Sequence, residues 1–124
     1  MTSYVAAKAA VDGYIAGFAA GDVEAIVALY GDDATVEDPV GTEVKQGVDA
    51  IRAFYTMSMA TGAKLAPLGP IRVAGDYVAF PFAVQLEWQG KAQRIEVIDL
   101  FRLNTAGKIT EMRAFWGPEN MLSD

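Results

Sequence analysis

Tyr77 to Trp88 reads YVAFPFAVQLEW. Val78, Phe80, Phe82, Val84, Leu86 and Trp88 recur at every second position, the period of a strand with one buried face. Pro81 falls on the opposite face and cannot donate to a ladder, which predicts an edge position or a bulge. The stretch is bounded by Gly75-Asp76 and Gln89-Gly90, both two-residue hairpin signals. Outward from it, Ile71 to Ala74 and Lys91 to Leu103 read as its antiparallel neighbours. Asn104 to Lys108 is a polar turn, Ile109 to Trp116 is a last strand, and Gly117-Pro118 stops it. Thr61 to Pro70 has no clear period and reads as a loop holding at most a short strand.

Before Thr61 the period is 3.6. Ser3 is a candidate N-cap, and Tyr4, Val5, Val11, Tyr14, Ile15 and Phe18 follow at helical spacing. Gly21 ends this helix and Asp22 caps the next, which carries Val23, Ile26, Val27 and Tyr30 on one side. Gly31-Asp32-Asp33 breaks it. A third helix runs from about Val48 to Met59, with Ile51, Phe54 and Tyr55 as its apolar stripe. Helices first and hairpins after them predict an α+β domain over residues 1–124. Three N-terminal helices would pack on a strongly curved, mostly antiparallel sheet and leave a conical cavity.

Composition narrows the chemistry. Ten Lys and Arg against sixteen Asp and Glu give a net charge of −6, which disfavours nucleic acid and anionic membranes as partners. The chain has no Cys and no His. Thiolate catalysis, Ser-His-Asp constellations and Cys- or His-ligated metals are therefore excluded. No metal or cofactor is expected. Proton transfer would have to use Asp, Glu, Lys or Tyr. Met1 to Ala20 lacks an uninterrupted apolar leader and no run approaches membrane-spanning length, so the expected location is the cytoplasm. At 52% hydrophobic residues, some apolar surface is expected to line a pocket or an oligomer interface.

Two carboxyls stand in apolar company. In Thr35 to Gly41, alternation puts Ala34, Val36 and Asp38 on one face, and Pro39 holds Asp38 extended at a strand end. Asp38 reads either as turn chemistry or as a proton-transfer group. In Ile95 to Leu103, Asp99 shares a face with Ile95, Val97, Phe101 and Leu103. Either that face is solvated and Ile98 and Leu100 are core, or Asp99 is held protonated and acts as a donor. Tyr14, Tyr30 and Tyr55 fall on apolar helical stripes, as core residues or as members of a hydroxyl network. Isolated carboxyls and tyrosines without His or Cys suit proton abstraction beside a carbonyl, with neutral donors stabilising an enolate.

The run DDATVEDPVGTE around Asp38 resembles the signature of bacterial ketosteroid isomerases. So do Gly21-Asp22 with Ile26-Val27-Ala28-Leu29, the helix Ile51-Arg52-Ala53-Phe54-Tyr55, the strand Ile98-Asp99-Leu100-Phe101-Arg102, and the hairpin from Ala106-Gly107-Lys108 to Met112-Arg113-Ala114. The resemblance covers almost the whole chain. It implies the NTF2-like (cystatin-like) cone fold, a homodimer joined through its sheets, and cofactor-free conversion of 3-oxo-Δ5 to 3-oxo-Δ4 steroids through a dienolate. It implies Asp38 as proton-shuttling base, Tyr14 and protonated Asp99 as oxyanion hole, and Tyr30 and Tyr55 as support for Tyr14. Phe54, Phe82, Val84, Phe101, Met112 and Trp116 are the expected pocket wall, on stripe and parity. Thr61 to Pro70 departs from the family pattern, and Trp116 stands where some relatives carry Phe. Both bear on the steroid's size and substituents. The same cone hosts epoxide hydrolases, dehydratases and polyketide cyclases, and a non-catalytic steroid- or polyketide-binding protein is the reading outside enzymes.

Overall fold

The computed structural model describes residues 1–123. Helix α1 spans Tyr4–Ala20 and α2 Val23–Val27. They are followed by β1 (Tyr30–Glu37), β2 (Lys45–Gln46), α3 (Val48–Ala60), β3 (Lys64–Pro67) and β4 (Arg72–Ala74). Then come β5 (Tyr77–Trp88), β6 (Lys91–Leu103), β7 (Ile109–Phe115), a 3₁₀ turn (Pro118–Asn120) and β8 (Met121–Ser123). The strands form one sheet ordered β2-β1-β7-β6-β5-β3, with β4 beside β5 and β8 beside β6. All pairings are antiparallel except β1 with β7. The fold is thus α+β, three helices on an open curved sheet. Among the described residues no helix is long and apolar enough to cross a membrane.

Local chemistry explains the helix ends. The Ser3 side chain accepts a hydrogen bond from the Ala6 amide at 3.1 Å, and Asp22 accepts one from the Ala25 amide at 3.1 Å, satisfying donors that a helix start leaves unpaired. Gly21 stops α1 in the left-handed region, at φ 64°, where a side chain is disfavoured. The buried face of α1 is Ala7, Ala10, Val11, Tyr14, Gly17 and Phe18. Tyr4 and Val5, expected on that stripe, are exposed. At Gly17 a small residue is needed because α2 lies close: an added Cβ would come within 2.5 Å of Ile26 Cδ1.

Four further expectations are corrected. Tyr30 opens β1 instead of ending the second helix, which is only five residues long. Gly31-Asp32-Asp33 lies inside β1, where the register against β7 shifts between Tyr30 and Thr35. Pro81 sits at neither an edge nor a bulge. Its register with Ile98 of β6 is unbroken, and on its other side β3 gives way to β4, between Phe82 and Ala79. Its carbonyl still accepts from the Leu68 amide at 3.0 Å, so the missing donor falls at the handover between two partners. Gly117-Pro118 does stop β7, which ends at Phe115, but β7 is not the last strand: β8 follows and joins β6 at Gln93 to Ile95.

Candidate functional site

The helices and the inner sheet face enclose a cavity of about 380 Å³, a size suited to a small molecule. Its walls are mostly apolar: Phe18, Phe54, Leu65, Phe82, Val84, Leu86, Ile95, Val97 and Trp116 among others. Two titratable groups of opposite character open into it, Asp38 and Tyr14, with Tyr55 beside them. Among the described residues the lining contains no Lys or Arg.

Asp38 follows directly on β1, whose Ala34 and Val36 point into the core. It is partly buried, and burial raises its carboxyl pKa above the ordinary value. The indole of Trp116 opposes that shift by donating to Asp38 Oδ1 at 2.8 Å, since a bond to the anion favours ionisation. The turn carrying Asp38 is braced from outside the cavity. Glu37 Oε1 accepts from Arg113 Nε at 3.2 Å and Oε2 accepts from the Gly41 amide at 3.0 Å. The Val40 amide donates to the Ala114 carbonyl at 2.9 Å, and the Asp38-Pro39 peptide is cis. The Gly41 and Arg113 bonds hold the Glu37 carboxyl below its usual pKa despite some desolvation.

The three tyrosines form a chain. Tyr14 and Tyr55 share a hydrogen bond of 3.1 Å, and Tyr55 and Tyr30 share one of 2.5 Å. All three rings are buried, and burial pushes each hydroxyl well above the ordinary phenol pKa. Tyr55 has one proton and two partners. If Tyr30 donates to Tyr55 and Tyr55 to Tyr14, the proton of Tyr14 is left for a third group. Edge-to-face contacts with Phe18 and Phe101, each at 5.2 Å between centroids, fix the Tyr14 ring.

Asp99 lies in mid-strand, facing inward with Val97 and Phe101, between Phe80 of β5 and Ala114 of β7. It is 1% exposed, and neither carboxyl oxygen has a hydrogen-bond partner. Ile98, on the other face, is 51% exposed, so the inner face is the core face. Burial first, then the charge of Asp38, raises the Asp99 pKa well above the ordinary carboxylate value. A charged Asp99 without partners would be very costly here, and a neutral one keeps a proton available to donate.

Of the expected wall, Phe54, Phe82, Val84 and Trp116 line the cavity. Phe101 and Met112 do not: both are fully buried beneath it, in the core. The sequence reading missed Leu86, Trp88, Ile95 and Val97 as lining, although strand parity already put them on the right face. It gave Trp116 bulk but not its bond to Asp38, and it did not single out Glu37. Met121 also lines the cavity, from a strand placed beyond an apparent stop signal.

This fold and cavity place the chain in a family. Residues 11–112 match the SnoaL-like domain, and the chain belongs to that NTF2-like family. It is 40% identical to a steroid Δ-isomerase of Nocardioides simplex over 116 residues, 93% of each chain. It is 30% identical over 121 residues to the epoxide hydrolase LasB of Streptomyces lasalocidi, matching 78% of this chain and 42% of that one. Among solved structures it superposes with TM-score 0.88 on SalBIII, an epoxide hydrolase/cyclase-like enzyme with a role in pyran ring formation in the polyether salinomycin. That match has 31% identity and covers 94% of this chain and 95% of the other.

Proposed function

We propose that the chain isomerises 3-oxo-Δ5 steroids to 3-oxo-Δ4 steroids without a cofactor. The observation that carries the reading is the arrangement in and beside the cavity. A carboxyl and a tyrosine hydroxyl open into one apolar space, and a buried carboxyl without a partner, its pKa raised by burial, lies on the inner sheet face outside the cavity lining. Asp38 takes the C4 proton, leaving a dienolate. Tyr14 and Asp99 donate hydrogen bonds to its oxygen, and Asp38 returns the proton at C6, so atoms and electrons balance. The donors act in a water-poor site, where they stabilise developing charge more than water would. The tyrosine chain supports Tyr14, and the 40% identity to a steroid Δ-isomerase favours the same chemistry.

The epoxide hydrolase and cyclase relatives mark the competing reaction. Attack of water on an epoxide calls for further charged groups to position that water, and the apolar lining does not offer an Asp-Arg-Asp set. The deciding measurement is ultraviolet absorbance of a 3-oxo-Δ5 steroid mixed with catalytic amounts of protein. A conjugated enone band growing over many turnovers is expected. Binding without that band would leave a carrier, and epoxide opening without it would leave a hydrolase.

Two expectations accompany this reading. The first concerns Glu37, which braces the Asp38 turn. Glu37→Ala is expected to lower kcat by about tenfold or more with a smaller change in KM, because small displacements of a reacting group are costly. An unchanged kcat would remove Glu37 from that role. The second concerns assembly. On the outer sheet face Ile98 pairs across strands with Phe115, 51% and 44% exposed, and Leu100 adjoins them. Among the described residues no helix covers this patch, and a homodimer through it is expected. Sedimentation as a monomer at micromolar concentration would count against it.

A further inference from the structure

The cavity floor does not end where the buried core ends. Along β5 and β6, Phe80 stands opposite Asp99, Phe82 opposite Val97, Val84 opposite Ile95 and Leu86 opposite Gln93. Phe80 and Asp99 are buried, whereas Trp88, last in the same row, is 59% exposed and still lines the cavity. Phe82 is the first residue of this row to line the cavity, and the six residues from it to Trp88 make about 20 Å of extended strand. A second wall stands beside β6, level with Val84. β8 takes up the edge of β6 after β7 has left it, and it sets Met121 opposite Ile95. Met121 lines the cavity and is itself 44% exposed.

The polar groups nearby are engaged. The Thr61 hydroxyl donates to the Ser58 carbonyl at 2.6 Å, and the Glu87 amide donates to the Thr61 carbonyl at 3.1 Å. The open end is a largely apolar trough continuous with the floor, with Ser58 and Gln93 as further polar lining, and it is longer than a fused-ring nucleus alone would fill. The geometry points to an outer subsite of Leu86, Trp88, Met121 and Thr61 that takes an aliphatic substituent at the steroid end remote from the 3-oxo group. This rests on the orientation proposed above: with the oxygen at Tyr14 and Asp99, the rings lie along Phe82 and Val84 and the far end emerges at Trp88. The substrate class is then a 3-oxo-Δ5 steroid that retains a long hydrocarbon chain, rather than one ending in a small polar group.

The test uses two 3-oxo-Δ4 steroids that differ only at the remote end, one with a keto oxygen and one with a branched eight-carbon chain. Both are titrated below their solubility limits into Asp38→Asn protein, followed by tryptophan fluorescence. The chain-bearing ligand is expected to bind at least tenfold tighter, since two or three buried methylenes suffice for that. On the same background Trp88→Ala and Met121→Ala should each shrink the ratio of the two affinities at least threefold. Equal affinities in the parent, or a ratio indifferent to both substitutions, overturns the subsite. So does a Trp88→Ala protein that changes sedimentation but not the ratio, which makes Trp88 an oligomer contact. Turnover of the keto-bearing Δ5 substrate by the unsubstituted protein is measured in parallel. Turnover without a chain preference keeps the isomerase and removes the subsite. A chain preference without turnover keeps the subsite and removes the isomerase.

Discussion

Asp38→Asn is expected to lose nearly all turnover while binding a phenolic steroid, a mimic of the dienolate, almost unchanged. The amide matches the carboxylate in shape, and its carbonyl oxygen can still accept from the Trp116 indole that now reaches Asp38 Oδ1 at 2.8 Å. What it lacks is basicity. A positioned general base contributes about 10² to 10⁴-fold, and here one carboxylate both removes and returns the proton, so the loss should reach at least the upper figure. Retention of most activity would mean that another group is the base. Trp116 supplies an independent check through pH. Burial raises the Asp38 pKa and the indole bond draws it back down. The base works ionised, so kcat/KM should fall as pH drops through that pKa. Trp116→Phe removes a bond that favours the anion, the pKa rises, and the acid limb must move to higher pH. A limb that stays put, or moves to lower pH, would show that the group titrating there is not Asp38.

Much of the architecture was legible because period and punctuation agreed. The two-fold repeat from Ile71 onward and the Gly-containing turns at 75–76 and 89–90 located the β4-β5-β6 meander. Asp38 and Asp99 stand out as candidates for a related reason: a carboxyl among Val, Ile and Phe contradicts its own strand pattern, and such contradictions collect at sites. Tyr30 was misplaced because its hydrophobic spacing fitted a helix as well as a strand. The α2 segment is too short for periodicity to decide, and pairing with β7 wins over propensity. Parity alone puts Phe101 and Met112 on the pocket wall, because it identifies the inner face without saying how deep a residue lies along it. Depth depends on how the sheet curves and where helices cover it. The indole bond to Asp38 joins residues 78 positions apart, and the Glu37 brace depends on the parallel β1-β7 register. Neither long-range contact leaves a mark in local sequence.

Asp99 separates two accounts of the oxyanion site by a difference between substitutions. If it works as a neutral donor, Asp99→Asn still offers a neutral N–H and should keep substantial activity at pH 7. Asp99→Leu suits the apolar face between Val97 and Phe101 but donates nothing, and should fall roughly 10² to 10³-fold, the scale of one lost oxyanion donor. If the group worked as an anion, both would remove the charge and fall together, and equal losses would leave Tyr14 as the donor. Two pH dependences follow from the raised pKa of Asp99, which burial causes and Asp38 adds to. In activity, the donor proton is lost as pH rises through the folded pKa, so kcat/KM falls on the alkaline side and Asp99→Asn should move that limb upward. In stability, the folded state binds this proton more tightly than the unfolded chain. The contribution is fully present below the ordinary carboxylate pKa of about 4 and is lost progressively as pH rises toward the folded value. Thermal melts between pH 4 and 8 should therefore show the wild type losing more stability with rising pH than Asp99→Asn, whose amide does not titrate. The comparison is made over a range where Tyr14, Tyr30 and Tyr55, all raised above the phenol range, keep their protons. Parallel melting curves for the two proteins across that window would show that Asp99 carries its charge in the folded state, and would defeat the donor role whatever the kinetics said.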